Sequence, residues 1–143
     1  MKHSGASIIF VNDHKQVLLL LRDDKPGLPY RNMWDVPGGH IEHGETPEQC
    51  IIREMKEEMN IDLQDFKLFS QKIFDDRIEY TYWKKENLTI SEIDLMEGQR
   101  LKWFTRQEAA EVELAYGFNE IVEDFYEAVV FSNNKKPGIK PGI

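Results

Sequence analysis

The sequence predicts a single α/β domain built on a sheet with helices on both faces. Three observations carry that expectation. Residues 16–22 (Gln-Val-Leu-Leu-Leu-Leu-Arg) are apolar at successive rather than alternate positions, the pattern of a strand covered on both sides. Helix-start signals recur at Thr46 and Thr105, far apart in the chain. With 143 residues, 41% of them hydrophobic, the chain suffices for one core and falls short of two.

The elements follow in order. Residues 6–11 and 16–22 read as paired strands across the turn-like Asn12-Asp13-His14-Lys15. Residues 23–33 hold Asp23, Asp24, Pro26, Gly27, Pro29 and Asn32, with Pro37-Gly38-Gly39 soon after, so this stretch reads mostly as loop. Thr46-Pro47-Glu48-Gln49 joins a capping box to a proline at the first helical position and opens a helix to about Met59. Residues 65–74 and 77–84, rich in Phe, Ile, Tyr and Trp around Asp75-Asp76, read as a hairpin. After a polar loop at 85–99, Lys102-Trp103-Phe104 is a short strand, and Thr105 with Glu108 starts a short helix. Ile121, Phe125, Ala128 and Val129 share a face of a last helix at 119–131. Residues 132–143, with a doubled Pro-Gly-Ile, read as a flexible tail, which leaves 1–131 as the domain.

Charge and composition narrow the function. Eighteen Lys and Arg against 26 Asp and Glu give a net charge of −8, so the basic footprint of a duplex-binding protein is missing. No apolar run reaches the roughly 18–20 residues that cross a bilayer, and the polar start Met1-Lys2-His3-Ser4 has no signal-peptide core, which together point to a cytoplasmic protein without membrane association. The single Cys50 excludes an internal disulfide and a multi-cysteine zinc site.

The 46–59 helix breaks local rules. On a helical wheel Ile51, Ile52, Met55 and Met59 form the expected core stripe, with Glu54, Glu57 and Glu58 together beside it. These carboxylates stand three and four residues apart, repelling by a few tenths of a kcal/mol per pair, and two lie where the helix dipole disfavours anions. A cation removes both objections. Carboxylates without His or Cys suit a hard ion such as Mg²⁺ or Mn²⁺, which keeps waters and shares coordination with phosphates. His40 and His43, three apart with no third soft ligand, read as loop residues.

Gly39, five residues, Glu45, seven residues, and then Arg53-Glu54-Met55-Lys56-Glu57-Glu58-Met59-Asn60-Ile61 resemble the 23-residue Nudix box of the MutT-type pyrophosphohydrolases. Trp34-Asp35-Val36-Pro37-Gly38-Gly39 precedes the box as in many members, and the resemblance extends over roughly residues 5–130. It implies the Nudix α/β/α sandwich around a mixed sheet. The chain departs from the family at Asn60, where members have glycine; the position calls for a left-handed helix cap, and Asn tolerates that conformation best among non-glycine residues.

The resemblance also implies chemistry: cleavage of a nucleoside diphosphate linked to another group, by water activated among divalent metals, with Mg²⁺ expected and Mn²⁺ an alternative. By position, Glu54, Glu57 and Glu58 ligate the metal, the Gly38 carbonyl adds an oxygen, and Gly39 lies against the substrate. Arg53 and Glu45 orient the carboxylates, with metal ligation by Glu45 left open. Glu97, in Glu97-Gly98-Gln99, is a metal ligand or general base. Asn119 reads a base or caps the last helix, and Arg22 meets phosphate or is a solvated strand end. Trp34, Tyr30 and Tyr116 stack on a base or pack in the core.

Members acting on ADP-ribose carry a proline about fifteen residues past the box, and this chain has none between Pro47 and Pro137. A nucleoside triphosphate, an oxidised purine one among them, is therefore the expected small-molecule partner. A nucleotide sugar or dinucleotide is the alternative. A nucleotide sensor without turnover would have lost acidic positions that are all present here, and an interaction module using the final helix would need no metal. Many members are homodimers, and no feature of this sequence decides that.

Overall fold

The computed structural model describes residues 3–132; apart from Ser132, the expected tail lies outside the described residues. Strand β1 (His3–Val11) pairs antiparallel with β2 (Val17–Leu21), Val11 opposite Val17. The Asn12 side chain closes the turn, its Oδ1 accepting from the His14 and Gln16 amides at 3.0 and 2.9 Å.

Seven strands form one mixed sheet among the described residues. The spatial order is β3 (Trp34–Asp35), β2, β1, β6 (Arg77–Lys85) and β5 (Lys67–Ile73), with β4 (Gly38–His40) also on β1 and β7 (Arg100–Phe104) also on β2. The β1–β6 pair is parallel, and the other pairs are antiparallel. Strands β3 and β4 correct the expectation of a loop around Pro37-Gly38-Gly39. Two or three residues leave no alternation to detect, and their pairing comes from β2 and β1 rather than from local preference.

The continuous apolar run divides as a doubly covered strand must. Val17 and Leu19, with Ile9 and Val11, pack under α3 (Phe118–Phe125) through Phe118, Ile121, Val122 and Phe125. Leu18 and Leu20, with Ala6, Ile8 and Phe10, pack under α1 (Pro47–Met59) through Cys50, Ile51, Met55 and Met59. Each buried Val, Leu, Ile, Phe or Met side chain among them contributes about 1.5–3 kcal/mol. The short α2 (Arg106–Ala110) begins at a Thr105–Glu108 capping box, and a π-helical turn, Tyr126–Val130, continues α3. Among the described residues no helix is long and apolar enough to cross a membrane.

One element of the core is not the expected one. Ile52 is 43% exposed, whereas Glu58 is only 5% exposed. Adjacent helical residues are 100° apart, so Ile52 falls on the shoulder of the stripe, while Glu58, two turns beyond Ile51, comes back within about 20° of it. A carboxylate therefore occupies a core position of α1.

Candidate active site

Helix α1 is held at both ends. Thr46 Oγ1 accepts from the Gln49 amide at 3.1 Å and Gln49 Oε1 accepts from the Thr46 amide at 3.0 Å, so orphan donors at the N-terminus are satisfied reciprocally. At the other end Asn60 takes the left-handed conformation, φ 54° and ψ 38°. Its amide donates to Lys56 O, and the Ile61 amide donates to Met55 O. The helix thus stops directly after Glu57, Glu58 and Met59, fixing where the two glutamates point.

Arg53 organises the acidic face. Its Nε donates to Glu45 Oε2 at 2.6 Å and one terminal nitrogen donates to Glu45 Oε1 at 3.0 Å, a two-pronged pairing. The other terminal nitrogen donates to Glu54 Oε2 and Glu57 Oε1, both at 3.0 Å, while the one on Glu45 Oε1 also donates to the His40 carbonyl at 3.1 Å. Glu45 also accepts from the Glu42 amide. The Arg53 bonds above all, helped by that amide, pull the Glu45 carboxyl down to about 2. Both Glu45 oxygens are thereby engaged.

The glycines are required by close approach. Gly38 has φ +155°, and a Cβ there would lie 2.1 Å from the Ala6 carbonyl oxygen; a Cβ on Gly39 would lie 2.3 Å from the Glu54 carboxyl carbon. The β4 backbone is thus pressed onto Glu54. Glu97 stands on a loop pinned by the Met96 amide to Glu58 O at 2.7 Å and the Gln99 amide to Leu21 O at 2.8 Å. Gln99 Nε2 also donates to Arg22 O and Asn32 Oδ1, tying this loop to the 23–33 loop.

A cavity of about 530 Å³ joins these groups, with Gly38, Gly39, Glu54, Glu57, Glu58 and Glu97 in its wall. Two wall oxygens, Glu58 Oε1 and Asp35 Oδ1, are buried without a hydrogen-bond partner. Burial first, and then the Glu54 charge, push Glu58 well above the usual carboxylate range. Burial raises Glu54 as well, against the pull of its Glu58 hydrogen bond and Arg53. Burial lifts Asp35 to about 7, opposed by Arg22, whose guanidinium donates to Asp35 Oδ2 at 3.2 Å. Among the described residues no three His, Cys, Asp or Glu side chains form a ready cation cage, and Arg53 hydrogen-bonds Glu54 and Glu57. The donor set still fits a hard dication: it is oxygen only, it includes an orphaned buried carboxylate oxygen, and a bound dication would reverse the cost of gathering these charges.

Other expected residues fall differently. Arg22 lines the cavity, its Nε donating to the Pro29 carbonyl. Trp34 does not line it; its ring packs edge-on against Phe104 at 4.9 Å with Arg100 above, because alternation on β3 turns Asp35 toward the cavity and Trp34 toward the core. Asn119 is also elsewhere. Its Oδ1 accepts from the Leu114 amide, and its Nδ2 donates to the Ala109 and Val112 carbonyls, so the amide holds the 112–114 loop. Tyr116 lines the cavity, with the Tyr30 ring tilted against it, 4.3 Å between ring centres.

Sequence reasoning passed over Asp35, Arg77, Glu79 and Phe118, all in the cavity wall. Arg77, Glu79 and Thr81 alternate with Ile78, Tyr80 and Tyr82, a pattern that marks them as one face of β6. It also reads as a solvent face, and all three are buried.

With this geometry in place, the NUDIX domain family model matches residues 1–127. The chain belongs to the Nudix family. Among curated Nudix relatives, an RNA pyrophosphohydrolase of Blochmanniella pennsylvanica is 31% identical over 105 residues, 70% of this chain and 58% of that protein. An 8-oxo-dGTP diphosphatase of Escherichia coli strain K12 is 45% identical over 51 residues, 36% of this chain and 35% of that protein. The chain thus spans between a third and three-fifths of these relatives. A MutT protein from Methanosarcina mazei Go1 superposes with a TM-score of 0.67 at 20% identity, covering 94% of this chain and 96% of that one, and shows the shared Nudix fold.

Proposed function

We propose that the chain is a divalent-metal-dependent pyrophosphohydrolase that cleaves a nucleoside triphosphate, an oxidised purine one included, and releases a monophosphate. One observation carries this reading: the three α1 glutamates and Glu97 share a cavity with the close-packed Gly38-Gly39 backbone, and Glu58 is buried there with an oxygen lacking any partner. The cavity, at about 530 Å³, is in the range that holds a nucleotide-sized ligand. The names of the two curated relatives denote hydrolysis of phosphoric anhydrides and support the reaction class.

Glu54, Glu57 and Glu58, with the Gly38 carbonyl, would hold Mg²⁺ or Mn²⁺, which supplies hydroxide at neutral pH and charge neutralisation on phosphate oxygens when bound. Arg53, braced by Glu45, sets the orientation of Glu54 and Glu57. Glu97 accepts the proton of the attacking water or shares in ligation. Arg22, held by Asp35 at the cavity wall, offers its guanidinium to a phosphate.

The test is incubation with Mg²⁺ and a panel of nucleoside triphosphates, 8-oxo-dGTP, nucleotide sugars and dinucleotide polyphosphates, with products identified by chromatography. A nucleoside monophosphate released fastest from a triphosphate supports the reading. Release only from sugars or dinucleotides transfers the assignment to those substrates. Tight nucleotide binding without any product makes the chain a sensor.

A further inference from the structure

The same cavity contains a second buried charged group that metal and phosphate chemistry does not use. Arg77 and Glu79, 6% and 4% exposed, stand on β6 in the cavity wall. Arg77 Nε donates to Glu79 Oε1 at 2.7 Å, one terminal nitrogen donates to the Tyr116 carbonyl at 2.9 Å, and the other donates to Asp76 Oδ1 at 3.3 Å. Its guanidinium packs 4.2 Å from the Phe74 ring centre and 5.3 Å from that of Tyr116. Every Arg77 nitrogen is therefore engaged, and the cation is fixed.

Glu79 is different. Arg77 takes one oxygen and the Ser7 hydroxyl lies beside the carboxylate, but an ionised carboxylate offers about four acceptor sites. Burying an ion pair costs as much as it returns unless further hydrogen bonds complete it, and Glu79 faces a cavity where those bonds can come from a ligand. Room has been made for it. Gly5 lies opposite Glu79 in the β1–β6 register, and a Cβ on Gly5 would fall 2.7 Å from Glu79 Oε1. On its other side β1 pairs with β4, Ala6 opposite Gly39. Two strand spacings, on the order of 10 Å, thus separate Glu79 from the glycine against Glu54, comparable to the span of a nucleotide from base edge to phosphates.

We propose that Glu79, held in place by Arg77, is the specificity residue of this cavity, accepting hydrogen bonds from a base edge that carries a ring N–H beside an amino group. Guanine, its 8-oxo form and pterins present that edge; adenine places a ring acceptor there, and hypoxanthine lacks the amino group. Tyr116, with Tyr30 behind it, supplies an aromatic surface beside the ring. The assignment rests on the nucleoside triphosphate reading above and adds which base is selected.

The test compares kcat/KM for dGTP, dITP and dATP with Mg²⁺ in the wild type, Glu79→Gln and Gly5→Ala. Loss of one hydrogen bond to a charged group corresponds to about 10- to 100-fold, so the wild type is expected to favour dGTP over dITP by that factor, and over dATP by more. In Glu79→Gln the dGTP/dITP ratio is expected to collapse, chiefly through KM for dGTP. Gly5→Ala, which displaces the carboxylate without removing it, is expected to lower the same ratio and keeps the test decisive if Glu79→Gln does not fold. A wild type indifferent to the amino group, or folded variants that keep its preference, overturns the assignment to Glu79 and leaves the hydrolase reading standing. Absence of both binding and turnover for every nucleoside triphosphate overturns that reading and this one together.

Discussion

At the scale of single residues, the candidate site depends on charges placed where isolated chemistry disfavours them. Glu57 touches Arg53 but is not part of the core, so Glu57→Gln is expected to preserve the circular-dichroism spectrum and melting profile while lowering turnover by orders of magnitude. Near-normal rates in that variant would remove Glu57 from the metal site. Asp35 makes a prediction about pH. Burial raises its folded-state pKa from 3.8 to about 7, so between those values the folded chain keeps a proton that the unfolded chain has released. Its contribution to stability is therefore greatest at the acidic end of this window and declines as pH rises toward 7. Denaturant titrations in EDTA at several pH values should show the decline, and Asp35→Asn should make it shallower, the raised Glu58 and Glu54 carboxyls keeping the remainder.

Among elements, α1 matters most because both of its ends are specified locally. Asn60→Ala places a Cβ-bearing residue without Asn's tolerance in a left-handed position and is expected to cost about 1 kcal/mol in urea unfolding. Gly39→Ala acts through contact instead: its Cβ must displace the Glu54 carboxyl, so metal affinity, followed by Mn²⁺ paramagnetic resonance, should fall more than stability does. The starts of α1 and α2 were readable from sequence because capping boxes are local hydrogen-bond codes. Strands β3 and β4 were not, since partners distant in sequence create them.

For the whole molecule, the sheet separates two packed layers and leaves its carboxylates at the wall of one cavity. A dication bound there favours the folded state by mass action, about 2.7 kcal/mol at a concentration of 100 times Kd. Mg²⁺ or Mn²⁺ is thus expected to raise the wild-type Tm measured by calorimetry, and to raise it less in Glu57→Gln. An unchanged wild-type Tm across a millimolar titration would count against a metal platform on α1.

What the amino-acid order determined unaided was whatever depends on neighbours within a few residues. That covers the doubly buried β2 run, the capped starts of α1 and α2, and the spacing that groups Glu54, Glu57 and Glu58 beside Arg53. Tertiary structure alone decided which of those groups are buried and what they face. Glu58 replaced Ile52 in the core, Asn119 and Trp34 turned to structural partners, and Arg77 and Glu79 closed the cavity instead of facing solvent. The physical reason is that helical and strand periodicity assign a residue to a face, whereas desolvation and hydrogen-bond partners are set by whatever distant segment covers that face.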